Sequence, residues 1–332
     1  MSKALSRFFI GCLGLGLIVL SAASFADWHS DQQAIMGTDV SVTLWHDDPE
    51  QAKAAIRAVM AEMHRIDSVY SPYKSDSELS RLNRAAAAGP VEISAEFVRL
   101  LDKALFYSRL SEGAFDISFA ALGRHYNYRQ GAQPKAEAKL ALLPAINYQD
   151  LVLDTEKQTL AFAQKHMQID LGGIAKGYAV EQSVGILKRF GVVNATVSAG
   201  GDSRVIGDKR GKPWMIGVKN PRGDGGTALT VPLLDLAIST SGDYERFFID
   251  PESGERIHHI INPATGTSAK GIASVSVIGP SGFDTDPLST TVFVLGKSRG
   301  LALINTLPGF DCIIIDSGGE LTYSQGLVPP DT

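Results

Sequence analysis

From Ala34 to Trp45 apolar and polar residues alternate, with Val40, Val42 and Leu44 on one face, and then the period changes. Asp47-Asp48-Pro49 places acids and a proline where a helix begins. Ala52, Ala55, Ile56, Val59, Met60, Met63 and Ile66 follow at helical spacing, until Ser71-Pro72-Tyr73 ends the run in a loop. This switch from strand to helix period recurs along the chain. It limits the fold to a mixed α and β class, in which helices cover sheets.

A second helix is expected over 95–110, with Ser94 as N-cap and Gly113 at its end. Residues 127–146 are polar and Ala-rich and read as a surface excursion. Leu151–Asp154 and Thr159–Ala163 form a hairpin pattern, and Met167–Leu171 reads as a short strand entering Gly172-Gly173. Helical spacing resumes from Ala175 to Phe190 and stops at Gly191. Strand patterns then dominate at 192–198, 214–219, 228–239, 257–261, 272–278 and 311–316, with helix between Pro287 and Leu307. Gly200-Gly201-Asp202 and Gly318-Gly319-Glu320 are similar turns after apolar strands.

The 332 residues are 44% hydrophobic and 20% charged, enough to build a core and unlike a disordered or collagen-like chain. The formal net charge is -5 and no basic run exceeds Lys188-Arg189 or Lys209-Arg210, which argues against a nucleic-acid binder. Lys3 and Arg7, the apolar run 8–23 and Ser24-Phe25-Ala26 have the form of a secretory leader cleaved after Ala26. The run is shorter than a spanning helix needs. Cys12 lies too early in it for a lipid-modified cysteine. Losing residues 1–26 removes two basic residues and no acid, leaving 29 basic and 36 acidic residues and a net charge of -7. Only Cys312 would remain, in an apolar strand, so no intrachain disulfide can form. The expected domains are the leader (1–26) and a folded part (27–332), exported to the periplasm.

Four places could carry chemistry. Asp170-Leu171-Gly172-Gly173-Ile174-Ala175-Lys176 puts a lysine in the first turn of a helix after two glycines. Backbone N–H groups and the helix dipole there suit an anion, although the spacing is neither a Walker loop nor a dinucleotide fingerprint. An ordinary strand-to-helix turn reads the same way. In Asp284–Thr291, Pro287 at the first helical position would make Asp286 an N-cap. Asp286 and Thr290 are also four apart, on one helix face, and supply hard oxygens suited to Mg²⁺ beside phosphate. His258 and His259 are adjacent on a strand, so at most one faces a given pocket. The other histidines show no ligand spacing for zinc. Gly113-Ala114-Phe115-Asp116 and the Tyr73 loop offer aromatics that could cover a planar ligand or simply pack in the core.

Taken in order, these segments resemble the FAD:protein FMN transferase (ApbE) family. The series runs Met36-Gly37-Thr38; Tyr73 with Ser77-Glu78-Leu79-Ser80-Arg81-Leu82-Asn83; Gly113–Asp116; and Asp170–Ala179. It continues through Ser198–Asp202, Ser239–Tyr244, His259–Gly266 and Asp286-Pro287-Leu288-Ser289-Thr290. The resemblance implies two α/β halves with flavin in the cleft between them. It also implies FAD as substrate, Mg²⁺ as cofactor, and transfer of FMN to a Thr or Ser hydroxyl of an acceptor protein with release of AMP. The acceptor it implies is an exported part of a membrane respiratory complex. Met36, Tyr73, Ala114, Phe115, Asp116, Asp170, Lys176 and Ile261 match flavin-contact positions. Gly173, through its carbonyl, Asp286 and Thr290 match metal positions, and His259 matches the base. Asn262 replaces the family's usual Asp before Pro263, and Ile117-Ser118 replaces a frequent Pro-Thr. Water in place of the acceptor would make a Mg²⁺-dependent FAD pyrophosphatase, and a protein lacking the metal pair would be a plain flavin binder.

Overall fold

The computed structural model describes residues 27–223 and 225–328, so the expected leader and Cys12 lie outside the described residues. The centre is an eight-stranded antiparallel sheet. Its strands are β1 (Asp27–Ile35), β2 (Thr38–His46), β3 (Ala195–Ala199), β4 (Asp202–Ile206), β5 (Ala237–Gly242), β6 (Ile272–Gly279), β7 (Asp311–Asp316) and β8 (Leu321–Tyr323). Each pairs with the next in chain order. The sheet is therefore a meander whose connections have been greatly lengthened. Residues 47–194 form the longest of these, and residues 243–271 form another.

Helices α1 (Pro49–Tyr70), α2 (Glu78–Ala85), α3 (Ala95–Leu110) and α4 (Ala175–Arg189) belong to the first connection, and α5 (Gly282–Ile304) joins β6 to β7. On one face of the sheet α1 lies against β1 and β2, α4 against β3 and β4, and α5 against β5, β6 and β7. The hairpin Trp214–Lys219 with Thr227–Leu233 belongs to the other face. The alternation in β7 records both covers. Cys312 and Ile314 join the helix-side core, while Ile313 and Ile315 pack with Trp214 and Leu233. All eight residues of β6 are buried for the same reason. Cys312 is a free, buried thiol. Among the described residues no helix is long and apolar enough to cross a membrane.

Four sequence expectations are corrected. The strand read over 228–239 is two, Thr227–Leu233 of the outer hairpin and β5 of the central sheet, with 234–236 between them. The strand read over 34–45 contains a hairpin turn, in which Met36 (φ 56°) and Gly37 (φ 72°) join β1 to β2. Both positive angles match the right-handed twist of the paired strands. Met167–Leu171 is extended but has no strand partner. Its backbone pairs instead with a side chain: Asn83 Nδ2 donates to the Ile169 carbonyl at 2.9 Å, and the Ile169 N–H donates to Asn83 Oδ1 at 2.8 Å. Finally, α5 starts at Gly282 with Ser281 as N-cap, its Oγ accepting the Phe283 N–H. Pro287 is therefore inside the helix, and Asp286 is not its cap. Gly296 (φ 79°) interrupts the same helix further on.

Candidate active site

A cleft of about 480 Å³ opens where the helical layer, the end of β5 and the 243–271 connection meet. Met36, Tyr73, Ala114, Phe115, Asp116, Asp170, Gly173, Lys176, His259, Ile261, Asp286 and Thr290 all line it. Every residue matched to a flavin, metal or base position thus reaches one cavity, although they come from six separate segments.

The floor is set by the crossing of α4 and α5. Gly177 and Gly282 face each other so closely that a Cβ on Gly177 would lie 2.1 Å from the Gly282 carbonyl oxygen. This contact lets the Gly177 N–H, near the start of α4, donate to Asp286 Oδ2 at 2.8 Å. Lys176 Nζ lies 2.6 Å from Asp202 Oδ2 and 3.9 Å from Asp286 Oδ2. Burial pulls the Lys176 ammonium down, but Asp202 and Asp286 overcome it and hold the group above its ordinary value. Burial, with Asp202 nearby, pushes Asp286 up to about 7, against the opposing pull of Lys176 and the Gly177 N–H. Two carboxylates therefore share one lysine.

Asp170 caps the glycine turn, accepting the Gly172 N–H at 2.6 Å, and its burial raises its pKa. Beyond that turn, a Cβ on Gly173 would sit 3.2 Å from Thr290 Oγ1 and from Phe115. Among the described residues no group of three or more His, Cys, Asp or Glu is arranged to hold a metal. The donors gathered here are of another kind: a carboxylate (Asp286), a hydroxyl (Thr290) and a carbonyl (Gly173). The contacts from Gly177 and Lys176 both use Oδ2 of Asp286, and among the described residues no hydrogen bond reaches Oδ1. A set of hard oxygens that satisfies part of a coordination sphere fits Mg²⁺, which keeps waters and phosphate oxygens as its other ligands.

The Asp116 carboxylate is committed to its own loop. Oδ1 accepts from Ser118 N (2.8 Å) and Ser118 Oγ (2.6 Å), and Oδ2 accepts from Tyr148 N (2.8 Å). Burial raises its pKa while these donors oppose the rise. It shapes the 113–118 loop that presents Phe115, which is itself buried. Ser118 thus gives that carboxylate both a backbone and a side-chain donor. At the mouth Tyr73 is 81% exposed, with its hydroxyl 3.4 Å from Arg246 Nη1.

The strand read over 257–261 ends at His258, and His259 lies in the bend beyond it, yet the two histidines still face apart. His258 is buried, with Nε2 2.8 Å from the Ala269 carbonyl and the Ile260 N–H directed at Nδ1. The first contact can only be a donation, so Nε2 carries the proton. Its ring meets Phe293 edge-on. His259 turns to the cleft, held by its own N–H on the Arg246 carbonyl at 3.1 Å. Its Nδ1 is buried without a hydrogen-bond partner among the described residues. Burial, reinforced by Arg246, pulls its pKa down to about 3, so the ring is neutral at pH 7. Asn262 does not disturb the turn beyond. Its Oδ1 accepts the Ala264 N–H at 3.0 Å, as an aspartate oxygen could.

Arg246, Asp202 and Ser241 also line or brace the cleft, and the sequence reading gave none of them a role. Asp202 and Ser241 lie inside segments already singled out. Arg246 lies two residues past one, and nothing local marks it.

A meander sheet with one helical face and a cleft joining a helix N-terminus, a half-buried lysine, hard oxygens and a neutral histidine defines an α/β enzyme. The chain matches the ApbE family model over residues 36–314 and belongs to that family. It is 32% identical over 319 residues to the FAD:protein FMN transferase of Treponema pallidum, covering 90% of this chain and 88% of that one. It is 33% identical over 282 residues to the Haemophilus influenzae protein of the same name, covering 81% and 79%. Among solved structures, the ApbE protein of Thermotoga maritima superposes with a TM-score of 0.82 at 32% identity, covering 90% of this chain and 98% of that one. The flavin transferase ApbE of Vibrio cholerae does so with a TM-score of 0.79 at 26% identity, covering 90% and 96%.

Proposed function

We propose that this enzyme transfers FMN from FAD to the hydroxyl of a Thr or Ser on an acceptor protein, with Mg²⁺ bound, and releases AMP. The observation that carries the proposal is the convergence of Lys176, Asp286, Thr290 and His259 on one cleft. A flavin carrier needs the aromatic walls but has no use for a hard-oxygen pair beside a lysine and a neutral histidine.

Asp286, Thr290 and the Gly173 carbonyl would hold the cation, which when bound neutralises phosphate charge as the pyrophosphate breaks. Lys176, held in place by Asp202, adds a fixed positive charge at the same end of the cleft. His259, neutral and lining the cleft, takes the proton of the attacking hydroxyl on its ring. The acceptor oxygen bonds to the FMN-side phosphorus, the bond from that phosphorus to the bridging oxygen breaks, and AMP departs with the bridging oxygen. The resulting phosphoester links flavin to the acceptor. Tyr73 and Arg246 stand at the mouth, where the acceptor must enter. Following the leader-like N-terminus, we place the reaction in the periplasm, on an exported part of a membrane respiratory complex.

The test mixes residues 27–332 with FAD and Mg²⁺, with and without such an acceptor domain, and follows AMP and the acceptor's mass. AMP together with a mass gain of one FMN supports transfer, and a chelator should stop both. AMP with water as the only acceptor would make the protein a pyrophosphatase. FAD left intact under all conditions would refute the enzymatic proposal.

A further inference from the structure

Thr290 is not alone on its helix face. On β5, Ser239 and Ser241 are two apart and point the same way, about 7 Å from each other. On α5, Thr285 and Ser289 are four apart, about 6 Å along the helix. The two spacings match, and two rungs form: Ser239 Oγ to Thr285 Oγ1 at 2.8 Å, and Ser241 Oγ to Ser289 Oγ at 2.8 Å. Ser241 Oγ also lies 3.2 Å from Thr290 Oγ1.

Each hydroxyl has one proton, which fixes the direction of the second rung. Ser289 Oγ lies 2.8 Å from the Asp286 carbonyl, which can only accept, so Ser289 donates there. Ser241 must then donate to Ser289, or two oxygens would stand 2.8 Å apart with no proton between them. With its proton spent, Ser241 can only accept from Thr290. The chain runs one way: Thr290 to Ser241 to Ser289 to the Asp286 carbonyl. Ser289 is almost fully buried, so the step from Ser241 to the Asp286 carbonyl is closed to water, while Thr290 and Ser241 border the cleft.

We infer that Ser241 is a positioning residue that turns the Thr290 proton away from the cleft and leaves the Thr290 lone pairs facing a bound cation. The chain ends on the carbonyl of Asp286, the other side chain assigned to the metal, so one relay sets the rotamer of one ligand and braces the backbone of the other. The inference rests on the proposed role of Thr290 and Asp286 as cation ligands.

The experiment titrates Mn²⁺ alone into residues 27–332 and counts free ion by electron paramagnetic resonance. Four variants are compared with the unaltered protein: Ser241→Ala, Thr290→Ala, the double variant and Ser239→Ala. Loss of a group that orients a metal ligand weakens binding roughly 10–100-fold. Ser241→Ala should weaken Mn²⁺ binding about tenfold on that scale, and the double variant should bind no worse than Thr290→Ala. Ser239→Ala breaks the neighbouring rung and should lower the melting temperature without moving Mn²⁺ affinity. Losses that multiply in the double variant, or an unchanged Ser241→Ala beside a weakened Thr290→Ala, would overturn the relay alone. An unchanged Thr290→Ala would overturn the metal assignment and the relay with it.

Discussion

Gly177→Ala tests the helix crossing on which the site is built, because two effects of known size oppose each other there. Alanine inside a helix is favoured over glycine by about 1 kcal/mol. Against this, the new methyl carbon would lie 2.1 Å from the Gly282 oxygen and 2.5 Å from Asp286 Cβ, where ordinary contact begins at 3.4 Å. Neither neighbour is the free end of a long side chain. The backbones of α4 and α5 must separate, at a cost typical of an overpacked core, about 1–3 kcal/mol. Separation also breaks the Gly177 N–H bond to Asp286, a hydrogen bond to a charged group worth about 1.5–3 kcal/mol. The clash wins, with a net loss of about 2–4 kcal/mol. In a domain this large that lowers the melting temperature by about 5–10 °C. Gly185 provides the control in the same helix. Its nearest neighbour would be 3.9 Å away, so Gly185→Ala should gain up to about 1 kcal/mol. Calorimetry on both variants, with AMP release measured beside it, gives the answer. If Gly177→Ala melts with Gly185→Ala above the parent and still turns over, the crossing does not position Asp286 as argued.

Further outcomes can be checked on the same protein. His259→Asn should keep FAD and metal binding while AMP release falls roughly 10²–10⁴-fold; wild-type flavinylation by this variant would remove His259 as the base. The depressed pKa of His259 means the unfolded chain takes up a proton below 6.5 that the folded chain refuses until about 3, so stability is lost as pH falls through that window. Asp286, raised to about 7, acts in the opposite sense, favouring the folded state less as pH rises from about 4 to 7. Melting curves of wild type and His259→Asn between pH 7 and 4 separate the two, and should converge toward acid rather than run parallel. Lys176→Met strips two buried carboxylates of their cation at a cost of about 3–5 kcal/mol, and Asp202→Asn should recover part of it in the double variant, as read by denaturant midpoints. Asn262→Asp should change the melting temperature by no more than about 2 °C, since either side chain presents an oxygen to the Ala264 N–H.

The sequence was most legible where local chemistry and tertiary demand agree. Ser94 and Gly191 bracket helices as capping rules require, and the apolar spacing of α1 and α4 is the face they bury. It failed where one resembled the other without being it. Met167, Ile169 and Leu171 are all buried, so their alternation is real, but an asparagine side chain takes the place of the neighbouring strand. β1 lies at the sheet edge and is largely exposed, so it carries no apolar alternation to mark it off from β2. Pro287 signals a helix start by rule, yet Ser281 provides the cap one turn and more earlier. The site residues themselves rested on order along the chain, because no spacing rule joins Lys176 to Asp202 or His259 to Arg246. Those pairings follow from the way long connections fold back over a meander sheet.

The charges of the cleft show why its parts must act together. Among the described residues Lys176 is the cation that grips both Asp202 and Asp286, and Asp170 lies close enough to feel it. Three carboxylates face two cations, Lys176 and Arg246, and so disfavour a pyrophosphate on their own. They attract a divalent cation for the same reason. A cation shared by Asp286 would offset that carboxylate's charge and leave Lys176 and the Gly173 N–H freer to meet phosphate, the Gly172 N–H being held by Asp170. Nucleotide and metal should therefore each strengthen the other's binding by the same factor, since the coupling is a single free energy seen from two sides. His259 belongs to the same balance: burial and Arg246 lower its pKa, and the phosphates of a bound substrate would pull it back up.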